Sequence, residues 1–212
     1  FGLLAWLKFL PKQENVSIGR SDVITGSLYF FLALLSKESA IAFAVIIAAS
    51  RNLVLKQAPR SILLHAVPLL ILGLVFVWIR SLYVPFTIDA SADPLLANVL
   101  NGAKNIGETS ATKMVILLQF LRAVFLPWPM SWDYSFNEIP ISTWSQLTPW
   151  LGLLLYALLM VVVLFRFRQW PIFSFCILFF FISTSPTNNL FFTTGSTFAE
   201  RFLYVPSIAF CI

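Results

Sequence analysis

The sequence predicts an all-α, polytopic membrane protein, and three observations support this fold class. Hydrophobic residues make up 59% of the 212 residues and charged residues only 11%, against about 25% charged residues in a typical soluble domain. Several apolar runs approach or exceed the roughly 20 residues that a helix needs to cross a bilayer. Lys and Arg flank these runs, as the positive-inside rule describes. Because the chain begins and ends within apolar stretches, we expect a fragment of a larger transmembrane helix bundle.

The first long apolar run covers residues 23–50, and its only charged residues are Lys37 and Glu38. One charge at the centre of a bilayer costs about 3 kcal/mol. Either one spanning helix carries both charges, or two short helices meet at a turn over residues 36–39. Adjacent side chains point about 100° apart on a helix, so each charge needs another partner. Basic residues flank the run on both sides: Lys8, Lys12, Arg20, Arg51, Lys56 and Arg60.

Because both flanks are then cytoplasmic, the pattern favours the hairpin. Each half would be too short to cross the whole bilayer, at about 1.5 Å per residue. Lys37 and Glu38 would therefore face a water-filled or protein-lined cavity rather than lipid.

The other elements follow in order. Residues 1–10 are predicted to end a membrane helix, and residues 61–84 to span the membrane, with Arg80 at the outer interface. An external loop (86–112), an interfacial or re-entrant helix (114–126), two further crossings (147–165 and 170–183) and a last helix starting near Phe202 are also predicted. These elements form three predicted segments: 1–84, with transmembrane helices and the Lys-Glu hairpin; 85–146, an external loop region; and 147–212, with transmembrane helices and an external Glu-Arg loop.

The distribution of charged residues and cysteines bears on which partners the chain can bind. Three acidic external elements share one face with the hairpin tip in this topology: residues 89–108, residues 133–138 and the Glu200-Arg201 pair. The net charge of +5 is spread over membrane-flanking loops without a basic patch, which excludes nucleic acid as the partner. The two cysteines, Cys176 and Cys211, have no metal-ligand spacing, and no metal site is predicted.

Cations and carboxylates in a cavity near the outer surface suit a lipid-linked phosphate substrate. Arg and Lys would hold the phosphate, and a carboxylate could act as general base on an acceptor hydroxyl. A transporter or flippase also needs charged residues within the membrane, and a purely structural membrane subunit remains a third alternative. No Walker loop, nucleophile elbow or HExxH motif is present.

Four ordered motifs resemble one family. They are LLSKESAI (34–41), ADPL (92–95), LPWPMSWDYSF (126–136) and AERFLYVPS (199–207). Together they are similar to the transmembrane and tetratricopeptide-repeat protein O-mannosyltransferases and their bacterial relatives, within the GT-C superfamily of glycosyltransferases. The resemblance covers nearly the whole chain.

The resemblance implies a GT-C-type helix bundle and a polyprenyl-phosphate sugar donor, which is dolichyl phosphate mannose in eukaryotes. The sugar, expected to be mannose, would be transferred to a protein hydroxyl on the outer or lumenal side. No cofactor is implied. An acidic catalytic residue is expected before Phe1 and tetratricopeptide repeats after Ile212, so this chain alone is expected to be inactive. The expected membrane is the bacterial inner membrane, with the endoplasmic reticulum as the alternative.

The residue roles are also carried over from the motifs. Lys37 and Arg201 are expected to contact the donor phosphate, with Glu38 and Glu200 orienting them. Asp133 and Tyr134 are expected to shape the external site. Two structural alternatives remain: Asp133 can cap a surface turn, and Glu200-Arg201 can be an ion pair at a helix start.

Overall fold

The structure is a computed structural model that describes residues 1–10, 18–57, 59–83, 98–128, 134, 138–191 and 193–212. All regular secondary structure within these ranges is helical, as predicted. The α-helices are α1 (Gly2–Lys8), α2 (Arg20–Ser36), α3 (Ala42–Ala49), α4 (Pro59–Tyr83), α5 (Ile106–Phe125), α6 (Leu147–Arg166) and α7 (Pro171–Thr184). Short 3-10 helices cover Glu38–Ile41, Val99–Gly102, Glu200–Leu203 and Pro206–Phe210, and a π-helix covers Ser50–Val54.

The chain divides into two compact units. Unit 1 comprises Phe1–Phe86 and Phe165–Ser183, and unit 2 comprises Thr87–Leu164 and Thr184–Ile212. The predicted division into three segments stays a prediction.

The long apolar run of unit 1 forms two helices separated at Lys37. The Lys37 backbone is extended, with φ −161° and ψ 130°. It ends α2, and the 3-10 helix that follows leads into α3. The Ser36 hydroxyl donates to the Leu32 carbonyl at 3.0 Å, a local bond of the kind that competes with continued helix. The structure therefore shows the two-helix alternative.

Phe9 shows that α2 and α3 run in opposite directions. Its ring lies so close to Gly26, near the start of α2, that a β-carbon on Gly26 would be 2.7 Å away. Its carbonyl accepts a hydrogen bond from Arg51 Nη1, just beyond the end of α3, at 2.9 Å. The start of α2 and the end of α3 are thus neighbours, and the chain reverses between them at Lys37.

Aromatic side chains form much of the core of unit 1. The Trp6 ring lies 5.9 Å from Phe175 and 5.7 Å from Phe179 of α7, and its indole N–H donates to the Ser50 hydroxyl at 3.1 Å. Such aromatic pairs add about 0.5–1.5 kcal/mol beyond the burial of their area. These contacts link α1 to α7 and to the end of α3.

Two helices are long and apolar enough to cross a membrane, judged by length and composition. They are Ile62–Tyr83 within α4, with 22 residues, and α6, with 20 residues. These match the predicted spans over 61–84 and 147–165. Only 11% and 17% of their most apolar stretches are buried in the protein. Their outward apolar faces therefore fit contact with lipid, because a soluble protein rarely exposes large continuous apolar surfaces.

Helix α5 begins earlier than predicted. The external loop predicted for 86–112 is wrong over residues 106–112, which form the first turns of α5. Asn105 Oδ1 accepts from the Glu108 backbone N–H at 2.8 Å, and Glu108 Oε2 accepts from the Lys104 backbone N–H at 2.8 Å. This arrangement closely follows a capping box. The Asn-x-x-Glu spacing is a helix-start signal that the prediction did not use.

The last predicted helix is also wrong. Instead of an α-helix from near Phe202, the chain forms the two 3-10 helices Glu200–Leu203 and Pro206–Phe210. Pro206 has no backbone N–H to donate to the carbonyl four residues earlier, so a continuous α-helical ladder is interrupted there.

Candidate functional site

The tip of the unit 1 hairpin carries three charged side chains. Lys37 is exposed at the backbone break, and Glu38 follows it. Arg80, in the last turn of α4, pairs with Glu38, with Nη1 and Oε1 3.2 Å apart. The predicted need of Glu38 for another partner is confirmed. For Arg80 we predicted a position at the interface but not this contact, because Arg80 and Glu38 are far apart in sequence.

In unit 2, Tyr134 and Glu200 come together. The Tyr134 hydroxyl donates to Glu200 Oε1 at 3.3 Å. Burial and the neighbouring Glu200 carboxylate raise the pKa of Tyr134 above its ordinary value, although Arg122 opposes this effect. At neutral pH the phenol therefore stays protonated and can donate to the carboxylate.

Aromatic packing fixes the Tyr134 ring. Its centroid lies 5.0 Å from that of Phe198 in an edge-to-face arrangement. Phe198 is fully buried and packs edge-to-face on Phe120 of α5, with centroids 4.8 Å apart. Helix α5 thus positions the Tyr134 ring through Phe198, and Tyr134 in turn contacts Glu200.

Arg201 is an exposed cation that adjoins Glu200 in the chain. It follows Glu200 in the 3-10 helix, and its guanidinium carbon lies 5.5 Å from the Phe202 ring centroid. Stacking on an aromatic ring limits the freedom of a guanidinium while leaving its edge N–H groups able to meet an anion.

A buried amide network supports the loop that precedes Glu200. Asn189 Oδ1 accepts from Asn98 Nδ2 at 2.9 Å and from the Thr194 backbone N–H at 2.7 Å. Asn189 Nδ2 donates to the carbonyls of Ser196 and Thr197 at 3.1 and 2.8 Å. Asn98 and Asn189 are 0% and 1% exposed. These asparagines therefore hold the loop in place from within.

The structure places all but one of the predicted site residues in two groups, one in each unit. Lys37 and Glu38 belong to unit 1, together with Arg80. Tyr134, Glu200 and Arg201 belong to unit 2, where Tyr134 contacts Glu200. Asp133 lies outside the described residues. Sequence analysis placed Arg80 at the outer interface and predicted no contact between it and Glu38.

The side chains of both groups suit an anionic phosphate better than a metal ion. Lys and Arg are donors only, whereas metal ligands are carboxylate, imidazole or thiolate groups. Within the part of the chain that the structure describes, no group of three His, Cys, Asp or Glu side chains is placed to hold a metal ion.

Comparison with known proteins gives one informative similarity. The chain is 34% identical over 88 residues to a protein named as a protein O-mannosyl-transferase from Caenorhabditis elegans. The aligned part covers 41% of this chain but 13% of that relative. No family model and no solved structure matches. The similarity fits a glycosyltransferase role, and together with the two apolar helices it indicates a membrane-associated protein.

Replacement of Tyr134 by phenylalanine tests the contact with Glu200. The variant keeps the ring packing on Phe198 and removes one hydrogen bond to a charged group, worth about 1.5–3 kcal/mol. We expect the variant to fold and to have a lower Tm in detergent than the wild type, because the hydrogen bond from Tyr134 to Glu200 is lost. A Tyr204→Phe variant, altered at an exposed tyrosine nearby, is the control. A Tm of Tyr134→Phe equal to that of the wild type would show that the contact does not stabilise unit 2.

Proposed function

We propose that this chain is part of a membrane glycosyltransferase that moves a sugar, mannose, from a polyprenyl-phosphate donor to a protein hydroxyl on the outer or lumenal side. The observation that carries this proposal is the 34% identity over 88 residues to a protein O-mannosyl-transferase. The two membrane-length helices support it, because a polyprenyl-linked donor is itself embedded in a bilayer. The bacterial inner membrane is the proposed location.

In unit 1, Lys37 is the proposed contact to the donor phosphate. This residue is exposed at a point where the helix is broken. A Lys side chain acts as a compact point charge with three donors, and it needs no fixed geometry to meet a phosphate oxygen. Glu38 is the proposed orienting carboxylate of this group.

In unit 2, Arg201 is the proposed phosphate contact, with Glu200 orienting it. Arg can bind two phosphate oxygens at once. Tyr134, whose ring packs on Phe198, donates a hydrogen bond to Glu200. Asp133 and Tyr134 are proposed to shape the external site. The protein acceptor is proposed to approach from the same external side.

The proposed reaction breaks the bond between the sugar C1 and the phosphate oxygen. The acceptor hydroxyl oxygen forms the new bond to C1, its proton passes to a general base, and the leaving electron pair stays on the phosphate. A cation that contacts the phosphate, proposed to be Lys37 in unit 1 or Arg201 in unit 2, would stabilise the charge on the departing phosphate, which is the kind of electrostatic contribution that lowers a barrier most. No described residue is assigned as the general base.

Two variants of the full-length protein test these roles separately. We expect Lys37→Ala and Arg201→Ala each to fold and to lose transfer from a polyprenyl-phosphate mannose labelled in the sugar, by about 100-fold. Arg60→Ala and Lys104→Ala remove exposed cations in units 1 and 2, respectively, and should retain transfer.

Two results would contradict the assignments. Unchanged transfer in both folded variants would show that these charges are structural. Movement of the labelled lipid across a vesicle membrane, without release of free polyprenyl phosphate, would instead identify a flippase.

A further inference from the structure

The turn between α6 and α7 carries two arginines for which the proposed function has no role. Arg166 ends α6, Arg168 lies two residues later, and Pro171 begins α7. Both arginines are exposed. The sequence has no Asp or Glu between Glu138 and Glu200, and in the part of the chain that the structure describes neither arginine forms an ion pair with a carboxylate. The turn therefore carries two positive charges that no carboxylate of these residues neutralises.

Neighbouring side chains orient the Arg166 guanidinium. Its Nη1 donates a hydrogen bond to Gln169 Oε1, and its central carbon lies 5.4 Å from the Trp170 ring centroid. Stacking on an indole ring limits the freedom of a guanidinium without using its N–H donors. Because a guanidinium has five such donors, several remain for an anion. Arg can bind two phosphate oxygens at once, so this arrangement suits a phosphate group.

An exposed apolar surface adjoins the same guanidinium. Trp170, on which Arg166 stacks, contacts Phe173 of α7 in an edge-to-face arrangement, with ring centroids 6.3 Å apart. The two aromatic residues are 51% and 52% exposed. Trp is enriched where a membrane meets water, because its ring is amphipathic. A guanidinium, a Trp and a Phe that contact one another in this order match the head group and the upper acyl chain of a phospholipid.

The length of α6 fits a position of this turn at a membrane surface. Its 20 residues extend about 30 Å, at about 1.5 Å per residue, which is close to the thickness of the hydrocarbon core. Trp144 and Trp150 lie at the opposite end of α6, with ring centroids 4.9 Å apart. An α6 that spans the bilayer therefore has both ends at the level of the head groups. Arginine-rich turns are typical of the cytoplasmic side, where the leaflet contains anionic lipids.

We infer that the turn between α6 and α7 binds the phosphate head group of an anionic phospholipid in the cytoplasmic leaflet, with Arg166 as the phosphate contact. Trp170 and Phe173 lie against the upper part of the acyl chain. Arg168, whose guanidinium carbon lies 5.5 Å from the Phe167 ring centroid, adds a second positive charge at the same surface. The inference is independent of the proposed function, because it requires neither a sugar donor nor a transfer step.

Lipid binding by the purified full-length protein in a neutral detergent tests this inference. The probe is a fluorescently labelled phosphatidylglycerol, with unlabelled lipids as competitors. We expect unlabelled phosphatidylglycerol to displace the probe and phosphatidylcholine, which has no net charge, to displace it much more weakly. Arg166→Gln and Arg168→Gln should each weaken binding about 5-fold, and R166Q/R168Q about 25-fold. Arg60→Gln, which removes an exposed cation at the start of α4, is the matched control and should leave binding unchanged.

A Trp170→Leu variant separates an ordered site from attraction by charge alone. It retains both arginines but removes the ring on which Arg166 stacks, so binding should weaken about 3-fold. This variant also decides the question if R166Q/R168Q fails to fold, which thermal unfolding in detergent reports. Binding by folded Trp170→Leu equal to that of the wild type would overturn the inference.

Three other results would overturn it as well. Equal competition by phosphatidylcholine would show that the two arginines only set the orientation of the helices. A loss of binding in Arg60→Gln as large as that in Arg166→Gln would show general attraction between charges rather than a site at this turn. Displacement of the probe by polyglutamate or by an oligonucleotide, but not by unlabelled phosphatidylglycerol, would identify an acidic protein or a nucleic acid as the partner.

Discussion

Replacement of Asn189 by alanine is expected to destabilise unit 2 by about 4 kcal/mol. The side chain makes five hydrogen bonds, to Asn98, twice to Thr194, to Ser196 and to Thr197. Its removal leaves buried groups without partners, at about 1–3 kcal/mol for each group that water cannot reach. Asn189 also has a φ of 59°, where alanine costs a further 1–2 kcal/mol or so.

Two control variants separate the loss of the amide group from the cost of the positive φ. Asn189→Gly removes the amide but tolerates the positive φ, so it should recover about 1 kcal/mol of the loss. Gly195→Ala changes the same loop at a position where an added β-carbon meets nothing within 4 Å, and it should leave the Tm in detergent unchanged. A Tm of Asn189→Ala equal to that of the wild type would show that the amide network does not hold the loop.

Replacement of Gly152 by alanine is expected to cost about 3 kcal/mol. Helix α6 meets α5 at this residue, and a β-carbon on Gly152 would overlap the Met114 carbonyl oxygen and lie 3.0 Å from its carbonyl carbon. These are backbone atoms, so the clash is relieved only by moving one helix away from the other. The Tyr156 hydroxyl, which donates to the Leu117 carbonyl at 3.1 Å, would be displaced as well.

Gly73→Ala is the matched control for this prediction. It adds the same methyl group to the other spanning helix, where the nearest atoms belong to the Ile41 side chain, the closest at 2.7 Å. A side chain can change rotamer, so the expected cost is about 1 kcal/mol. Both variants are compared by thermal unfolding in detergent. A smaller loss of stability for Gly152→Ala than for Gly73→Ala would contradict the close approach of α5 and α6.

The helices that sequence analysis predicted best were those set by long apolar runs. The spans over 61–84 and 147–165 depend only on local composition. The break at Lys37 was also predictable, because a charged pair within an apolar run is costly. The start of α5 was missed although its signal, Asn105 and Glu108, lay within four residues. The prediction of the last helix was wrong because it did not consider that Pro206 interrupts the backbone hydrogen bonds of an α-helix.

The site was less predictable because its contacts are distant in sequence. Glu38 and Arg80 come into contact only because the chain folds back through α3 and α4. No local sequence pattern predicts this contact. Asn98 and Asn189 are likewise brought together only by the fold of unit 2. Motif resemblance identified Lys37, Tyr134, Glu200 and Arg201 as residues of interest, but only the structure pairs Tyr134 with Glu200.

The central claim is that the protein transfers a sugar from a polyprenyl phosphate to protein. The most direct test incubates the purified full-length protein in detergent with a polyprenyl-phosphate mannose labelled in the sugar and with secreted proteins from the same cell. The account predicts label attached to protein hydroxyls, together with an equal amount of free polyprenyl phosphate. Label that stays on the lipid, in a preparation whose fold is verified, would contradict it.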